Sequence, residues 1–161
     1  MYISLLNHAC VKICFSDGTK LLTDPWLKGF CFSEGWNLRY ENESAWNELR
    51  DCTHLWISHF HEDHFHVSTL RELLKINPEI KVFGNNSYNF QLDTALKNIG
   101  FKNVYSIYEN KQININNNIS LIRFPCSGID NMLLIKSPDR NILNYNDCNL
   151  PQGAIKSYSK A

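Results

Sequence analysis

The run Thr53-His54-Leu55-Trp56-Ile57-Ser58-His59-Phe60-His61-Glu62-Asp63-His64-Phe65-His66 changes character halfway along. Its first part, 53–58, is a short apolar segment that reads as a buried strand. Its second part sets His59, His61, Asp63 and His64 in an HxHxDH spacing. In an extended or tightly turned chain, side chains at i and i+2 point the same way, so His59 and His61 can grip one metal ion. The chain then turns towards a helix expected near residue 69, and Asp63 and His64 reach round to a second ion. Imidazoles with a carboxylate suit zinc, and iron or manganese also fit. Two ions close together share a hydroxide that is nucleophilic at neutral pH. The competing reading is a solvated histidine-rich turn, which the apolar strand before and the capped helix after argue against. His66 falls outside the pattern and reads as a surface or supporting residue. His54, inside the strand, reads as a structural histidine.

Working outward, residues 2–6 and 11–15 read as strands, Asp17-Gly18 as a hairpin turn, and 21–23 as a strand ended by Asp24-Pro25-Trp26. Residues 26–43 form a long loop carrying Trp26, Phe30, Phe32, Trp36 and Tyr40, and loops of that length are often functional. A short helix is expected over 44–50. Downstream, Thr69 with Glu72 forms a capping-box pattern ahead of Leu70, Leu73 and Leu74. A strand follows at 80–84, then a helix capped by Ser87 and stopped by Gly100, then a strand at 104–107. This alternation predicts a layered α/β fold. After residue 110 only strands are expected, at 111–115, 119–124, 131–136 and 141–145.

The bulk numbers agree with one domain over 1–161. The chain is 43% hydrophobic, and its 16 basic and 16 acidic residues balance, so it lacks the field that a nucleic-acid partner exploits. No apolar run reaches the ~20 residues that span a bilayer, and the N-terminus does not read as a signal peptide. A cytoplasmic location is therefore expected, with Cys10, Cys14, Cys31, Cys52, Cys126 and Cys148 as free thiols.

Three stretches, 21–36, the ISHFHEDHFH segment and 142–153, resemble the metallo-β-lactamase-like domain of CMP-N-acetylneuraminate hydroxylases. More loosely they are similar to ascorbate-6-phosphate lactonases and N-acyl-phosphatidylethanolamine phospholipases D. The resemblance implies a metallo-β-lactamase-type αββα sandwich. It implies His59, His61, Asp63 and His64 as metal ligands, and Asp147, at the end of a strand, as the carboxylate that bridges two ions. Asp24 would be a buried residue supporting the metal loop. His8 falls where relatives carry a histidine facing the site; a structural polar role is the other reading. Two departures stand out. The superfamily's next ligand histidine is replaced at the matching position by Cys126, which reads either as a substitute thiolate ligand or as a loop cysteine. The last ligand histidine has no counterpart, since all six histidines lie at or before residue 66. The sandwich is therefore expected to be truncated at the C-terminus, its second half incomplete, with a homo-oligomer or a partner chain completing it.

The implied activity is that of a metallo-hydrolase holding two zinc ions, with iron or manganese as alternatives. Metal-bound hydroxide would attack a phosphodiester, ester, lactone or amide centre of a small molecule, with Asp63 orienting it as the catalytic residue. The Rieske CxH…CxxH pattern of the hydroxylases does not occur in these residues. A non-haem iron or redox partner of a monooxygenase system, and a catalytically dead binding module, are the alternatives.

Overall fold

The computed structural model describes residues 1–87, 90–126 and 128–149. Strands β1 (Tyr2–Asn7), β2 (Cys10–Cys14) and β3 (Lys20–Thr23) form an antiparallel meander. The aromatic loop contains a small ladder of β4 (Phe30–Cys31) with β5 (Trp36–Asn37), and α1 (Ala45–Leu49) follows. Next come β6 (His54–Trp56), α2 (Val67–Ile76) and β7 (Lys81–Gly84). After a short pair, β8 (Asn86–Ser87) and β9 (Phe90–Gln91), the chain runs through α3 (Leu92–Ile99) into β10 (Val104–Ser106). It finishes with β11 (Gln112–Asn114), β12 (Ser120–Pro125), β13 (Asn131–Lys136) and β14 (Ile142–Asn144). The last part of the third resembling stretch, residues 150–153, lies outside the described residues.

The order β1-β2-β3-β6-β7-β10 makes a six-stranded sheet, parallel from β3 onward, and β11-β12-β13-β14 make a four-stranded antiparallel sheet. Period-2 alternation assigns the two faces of the first sheet. Leu22, Leu55 and Val82 face a core shared with Leu49, Leu70, Leu73 and Leu96 of the helices. Their neighbours Leu21, Trp56 and Phe83 face a second core shared with Leu121, Leu133 and Ile135 of the other sheet. The result is helices on sheet on sheet, three of the four layers of the expected αββα sandwich. Among the described residues all three helices contribute to the first core, and none covers the far face of the four-stranded sheet. On the helical side, Lys12 is only 1% exposed. Its Nζ donates to Glu48 O and Oε2 at 2.7 and 2.8 Å and to Asp51 Oδ1 at 2.9 Å, so the buried ammonium is fully paired beneath α1.

Four local expectations are corrected. Helix α2 starts before Thr69: His66 is its N-cap, and its Nδ1 accepts the Thr69 N–H at 3.2 Å. His66 is buried, not a surface residue. The Thr69 hydroxyl instead accepts the Leu27 N–H at 3.2 Å. Ser87 does not cap α3; it sits in β8, whose pairing with β9 delays the helix to Leu92. The strand over 53–58 ends at Trp56, because at Ser58 the backbone turns to bond Asp24.

His54 is buried beside Phe83, its Nδ1 2.8 Å from Thr53 Oγ1 and its Nε2 without a partner. Burial, then the charge of Lys81, lowers its pKa from 6.5 to about 4. The unfolded chain therefore binds this proton more readily, so the stabilisation is present above pH 6.5 and is lost as pH falls towards 4. Between these limits His54 contributes up to about 3 kcal/mol to acid sensitivity. Urea unfolding at pH 7 and pH 4.5 is expected to show a smaller acid loss for His54→Gln than for the parent. An equal loss in both proteins would refute that assignment.

Candidate metal centre

The C-terminal ends of β3, β6 and β7 lie side by side in the parallel part of the sheet, where α/β proteins place their ligands. The residues just beyond them converge on Ser58. Asp24, fully buried with φ +38°, accepts the Ser58 N–H with Oδ1 and the Ser58 hydroxyl with Oδ2, both at 2.8 Å. The Ser58 carbonyl accepts the side-chain amides of Asn85 at 3.0 Å and Asn131 at 2.9 Å. Both polar ends of this residue are thus fixed, from both sheets, immediately ahead of the histidines.

That frame sets the tautomers. The single Ser58 hydroxyl hydrogen goes to Asp24, so Ser58 Oγ accepts from His59 Nδ1–H at 2.8 Å. The lone pair of His59 Nε2 is then free, facing His61 Nδ1 at 2.8 Å. His64 Nδ1 donates to Asp24 Oδ2 at 3.2 Å, which leaves its Nε2 buried without a hydrogen-bond partner. Carboxylate–imidazole pairs of this kind orient metal-ligating histidines and make them more basic.

Two groups of side chains result, each with ligand atoms within 4.8 Å of one another: His59, His61 and Asp147, and His8, Asp63 and His64. Asp147 lies between them, its Oδ2 4.0 Å from His59 Nε2 and 3.2 Å from His64 Nε2. The Asn146 amide donates to Asp24 Oδ2 at 2.8 Å and ties the end of β14 to the same buried carboxylate. His8, in the tight β1–β2 turn with φ +39°, donates from Nε2 to Asp63 Oδ2 at 2.8 Å and packs its edge on Trp26.

The electrostatics favour a cation. Burial alone would raise the Asp63 carboxyl, but His64, whose Nε2 lies 3.4 Å from Oδ2, and the hydrogen bond from His8 outweigh it and hold the group well below the usual carboxylate range. Burial lowers His64, yet Asp24 and Asp63 win and raise it to about 10. Burial, then the nearby His64, keeps His59 below its ordinary value, which suits a neutral ligand. Asp63 Oδ1 and Asp130 Oδ1 are both buried without hydrogen-bond partners, an arrangement that a bound cation relieves, while His64 Nε2, 3.2 Å from Asp147 Oδ2, would give up its proton to bind one. The donor set of imidazoles and carboxylates therefore fits divalent ions.

The structure does not bring Cys126 into either group; its thiol pairs with Cys148, and burial followed by that contact pushes the Cys148 thiol up. Asp130, unnoticed in the sequence, does reach the centre, its Oδ1 3.6 Å from His59 Nε2. The aromatic loop flanks the site: the Phe32 ring meets His61 edge-on at 6.3 Å, and the Glu62 carboxylate accepts the Phe32 N–H. A cavity of about 530 Å³ lies against it, lined by His8, Trp26, Trp36 and Arg39 among others. A further cavity of about 490 Å³, lined in part by His54 and Lys81, lies at the other end of β6 and β7, away from the centre.

Residues 2–127 match the model of the "Beta-lactamase superfamily domain". The cytidine monophosphate-N-acetylneuraminic acid hydroxylase of Asterias rubens is 31% identical over 94% of this chain and 24% of its own length. The inactive human protein of that name is 31% identical over 94% of this chain and 31% of its own length. The chain thus spans about a quarter to a third of the curated relatives it matches. Among solved structures, the metallo-beta-lactamase fold protein YhfI from Bacillus subtilis aligns with a TM-score of 0.64 at 9% identity. That alignment covers 89% of this chain and 56% of the other, a likeness of fold. No helix among the described residues is long and apolar enough to cross a membrane.

Proposed function

The chain belongs to the β-lactamase superfamily, and from that premise we propose that it carries the ion-binding site of a metal-dependent hydrolase. Its substrate is a small molecule with a phosphodiester, ester, lactone or amide bond. The observation that carries this reading is the pair of ligand groups with Asp147 between them. His59, His61 and Asp147 hold one ion, and His8, Asp63 and His64 hold another. Zinc is the metal of choice for such donors, with iron or manganese as alternatives. Bound ions would supply Lewis acidity, making water nucleophilic at neutral pH and polarising the oxygen of the bond that is split.

The protein's own groups do the positioning. Asp24 orients His64 and, through Ser58, His59. Asp63 stays ionised, and its Oδ1, which has no hydrogen-bond partner, would accept a hydrogen bond from the attacking water and orient it. Trp26 and Trp36 wall the cavity beside His8 and receive the body of the substrate.

Elemental analysis of the purified protein, with His59→Ala as control, tests the proposal. The expected result is about two zinc ions per chain, with the variant losing at least one of them. Iron in place of zinc would move the reading towards oxygenase or electron-transfer chemistry, the first of which is nearer the hydroxylase name of the relatives. A folded protein that retains no metal would overturn it.

A further inference from the structure

The hairpin between β12 and β13 carries an acidic residue that the metal-ligand pattern does not include. Its loop is closed by the Cys126 N–H donating to Asp130 O at 2.9 Å, with Gly128 at φ +76° making the turn. The next residue, Asn131, anchors it: the buried amide donates to Ser58 O at 2.9 Å and to Ile129 O at 2.8 Å, and its Oδ1 accepts from Arg123 Nη1 at 2.6 Å. Asp130 is therefore fixed to the same Ser58 frame as the histidines. Its Oδ1 is buried, has no hydrogen-bond partner, and lies 3.6 Å from His59 Nε2. The Asp130 side chain as a whole is 21% exposed, and a neighbour at the centre, Asp63, has an Oδ1 that also lacks a hydrogen-bond partner, on a side chain 6% exposed.

A carboxylate oxygen left in this state costs free energy unless a cation meets it. His59 and His61 supply two nitrogens and Asp147 one oxygen, which leaves room at an ion there for a further carboxylate beside water, since zinc sites expand to five-coordination. Asp130 stands outside that tight group of three but faces His59, its most buried member. We propose that Asp130 is the fourth protein ligand of the ion held by His59, His61 and Asp147. It takes the role for which the sequence suggested the Cys126 thiol, which is instead turned to Cys148. Two imidazoles and two carboxylates form a harder donor set than one rich in imidazole or thiolate.

This inference rests on the reading of the centre as a metal site, and the test separates the two. Metal content and affinity are measured by competition with a chromophoric chelator, using zinc, for the parent, Asp130→Asn and Cys126→Ser. Cobalt(II)-substituted samples of each give the ligand-field spectrum. Asp130→Asn is expected to weaken one of two ions by about 100-fold or more, judging from the effect of losing even outer-shell partners, and to change the cobalt bands. Cys126→Ser is expected to change neither. Without metal, Asp130→Asn is expected to unfold at the same or higher urea concentration than the parent, since it removes a partly buried carboxylate whose Oδ1 has no hydrogen-bond partner. If the parent binds metal and Asp130→Asn binds it with the same affinity and spectrum, the assignment of Asp130 is wrong while the metal centre stands. If the parent binds no metal, both fall.

Discussion

Replacing Asp63 with alanine is expected to empty the ion position shared with His8 and His64 and to abolish hydrolysis. The carboxylate is 4% exposed, receives the His8 N–H at 2.8 Å, and lies 3.4 Å from His64 Nε2. Without it the His8 and His64 imidazoles lose the carboxylate that lies between them, and His64 keeps Asp24 and Asp147 as its acidic neighbours. Lewis-acid stabilisation of a transition state contributes several kcal/mol, so its loss corresponds to a rate decrease of about 10³-fold or more. Metal content of the purified variant and turnover of a chromogenic phosphodiester and a chromogenic ester give the two readouts. Full metal content with an unchanged rate would remove Asp63 from the centre. Asp63→Asn, which keeps the shape and loses the charge, is expected to behave like the alanine variant.

The second large effect falls on a residue that touches neither ion position. Asp24 is fully buried and accepts four hydrogen bonds: from the Ser58 amide, the Ser58 hydroxyl, His64 and Asn146. Asp24→Ala leaves all four donors without a partner and His64 without its counter-charge. Breaking a buried charge pair from one side costs about 3–5 kcal/mol, a large part of the stability of an ordinary domain. A fall in the urea midpoint together with loss of metal is the expected outcome. Asp24→Asn separates the causes. Asparagine tolerates the left-handed backbone and can still accept the Ser58 N–H, but its NH₂ would face three donors. It is expected to keep the fold and lose metal affinity. An asparagine variant that binds metal like the parent would show that Asp24 acts through shape alone.

Much of this was legible from residue order. Apolar pairs such as Leu21-Leu22, Leu55-Trp56 and Val82-Phe83 feed two faces of a sheet covered on both sides, so the layered fold could be read from them. The HxHxDH spacing marks the loop after β6 because local geometry alone makes those side chains converge. The helix start was misplaced because histidine is not among the common cap residues, and Thr69 with Glu72 imitates a capping box one turn inside α2. Asp130 was missed for a different reason. Nothing in Cys126–Asp130 distinguishes a solvated turn from one pinned against Ser58; the pinning is done by Asn131, 73 residues away from Ser58 in sequence. Cys126 stands where the resemblance expects a histidine, but position in the sequence does not show which way a hairpin side chain is turned.

The Ser58 frame also governs when the centre comes into being. Its bonds join segments separated by 34, 73 and, through Asp24 to Asn146, 122 residues. Contacts of that span close late, since loop-closure entropy must be met before they form. His59, His61, Asp63 and His64 are neighbours in the chain, but their orientation waits for strands from both ends of it. Ion capture at the proposed centre is therefore expected to follow the docking of both sheets and not to seed the first collapse of the chain.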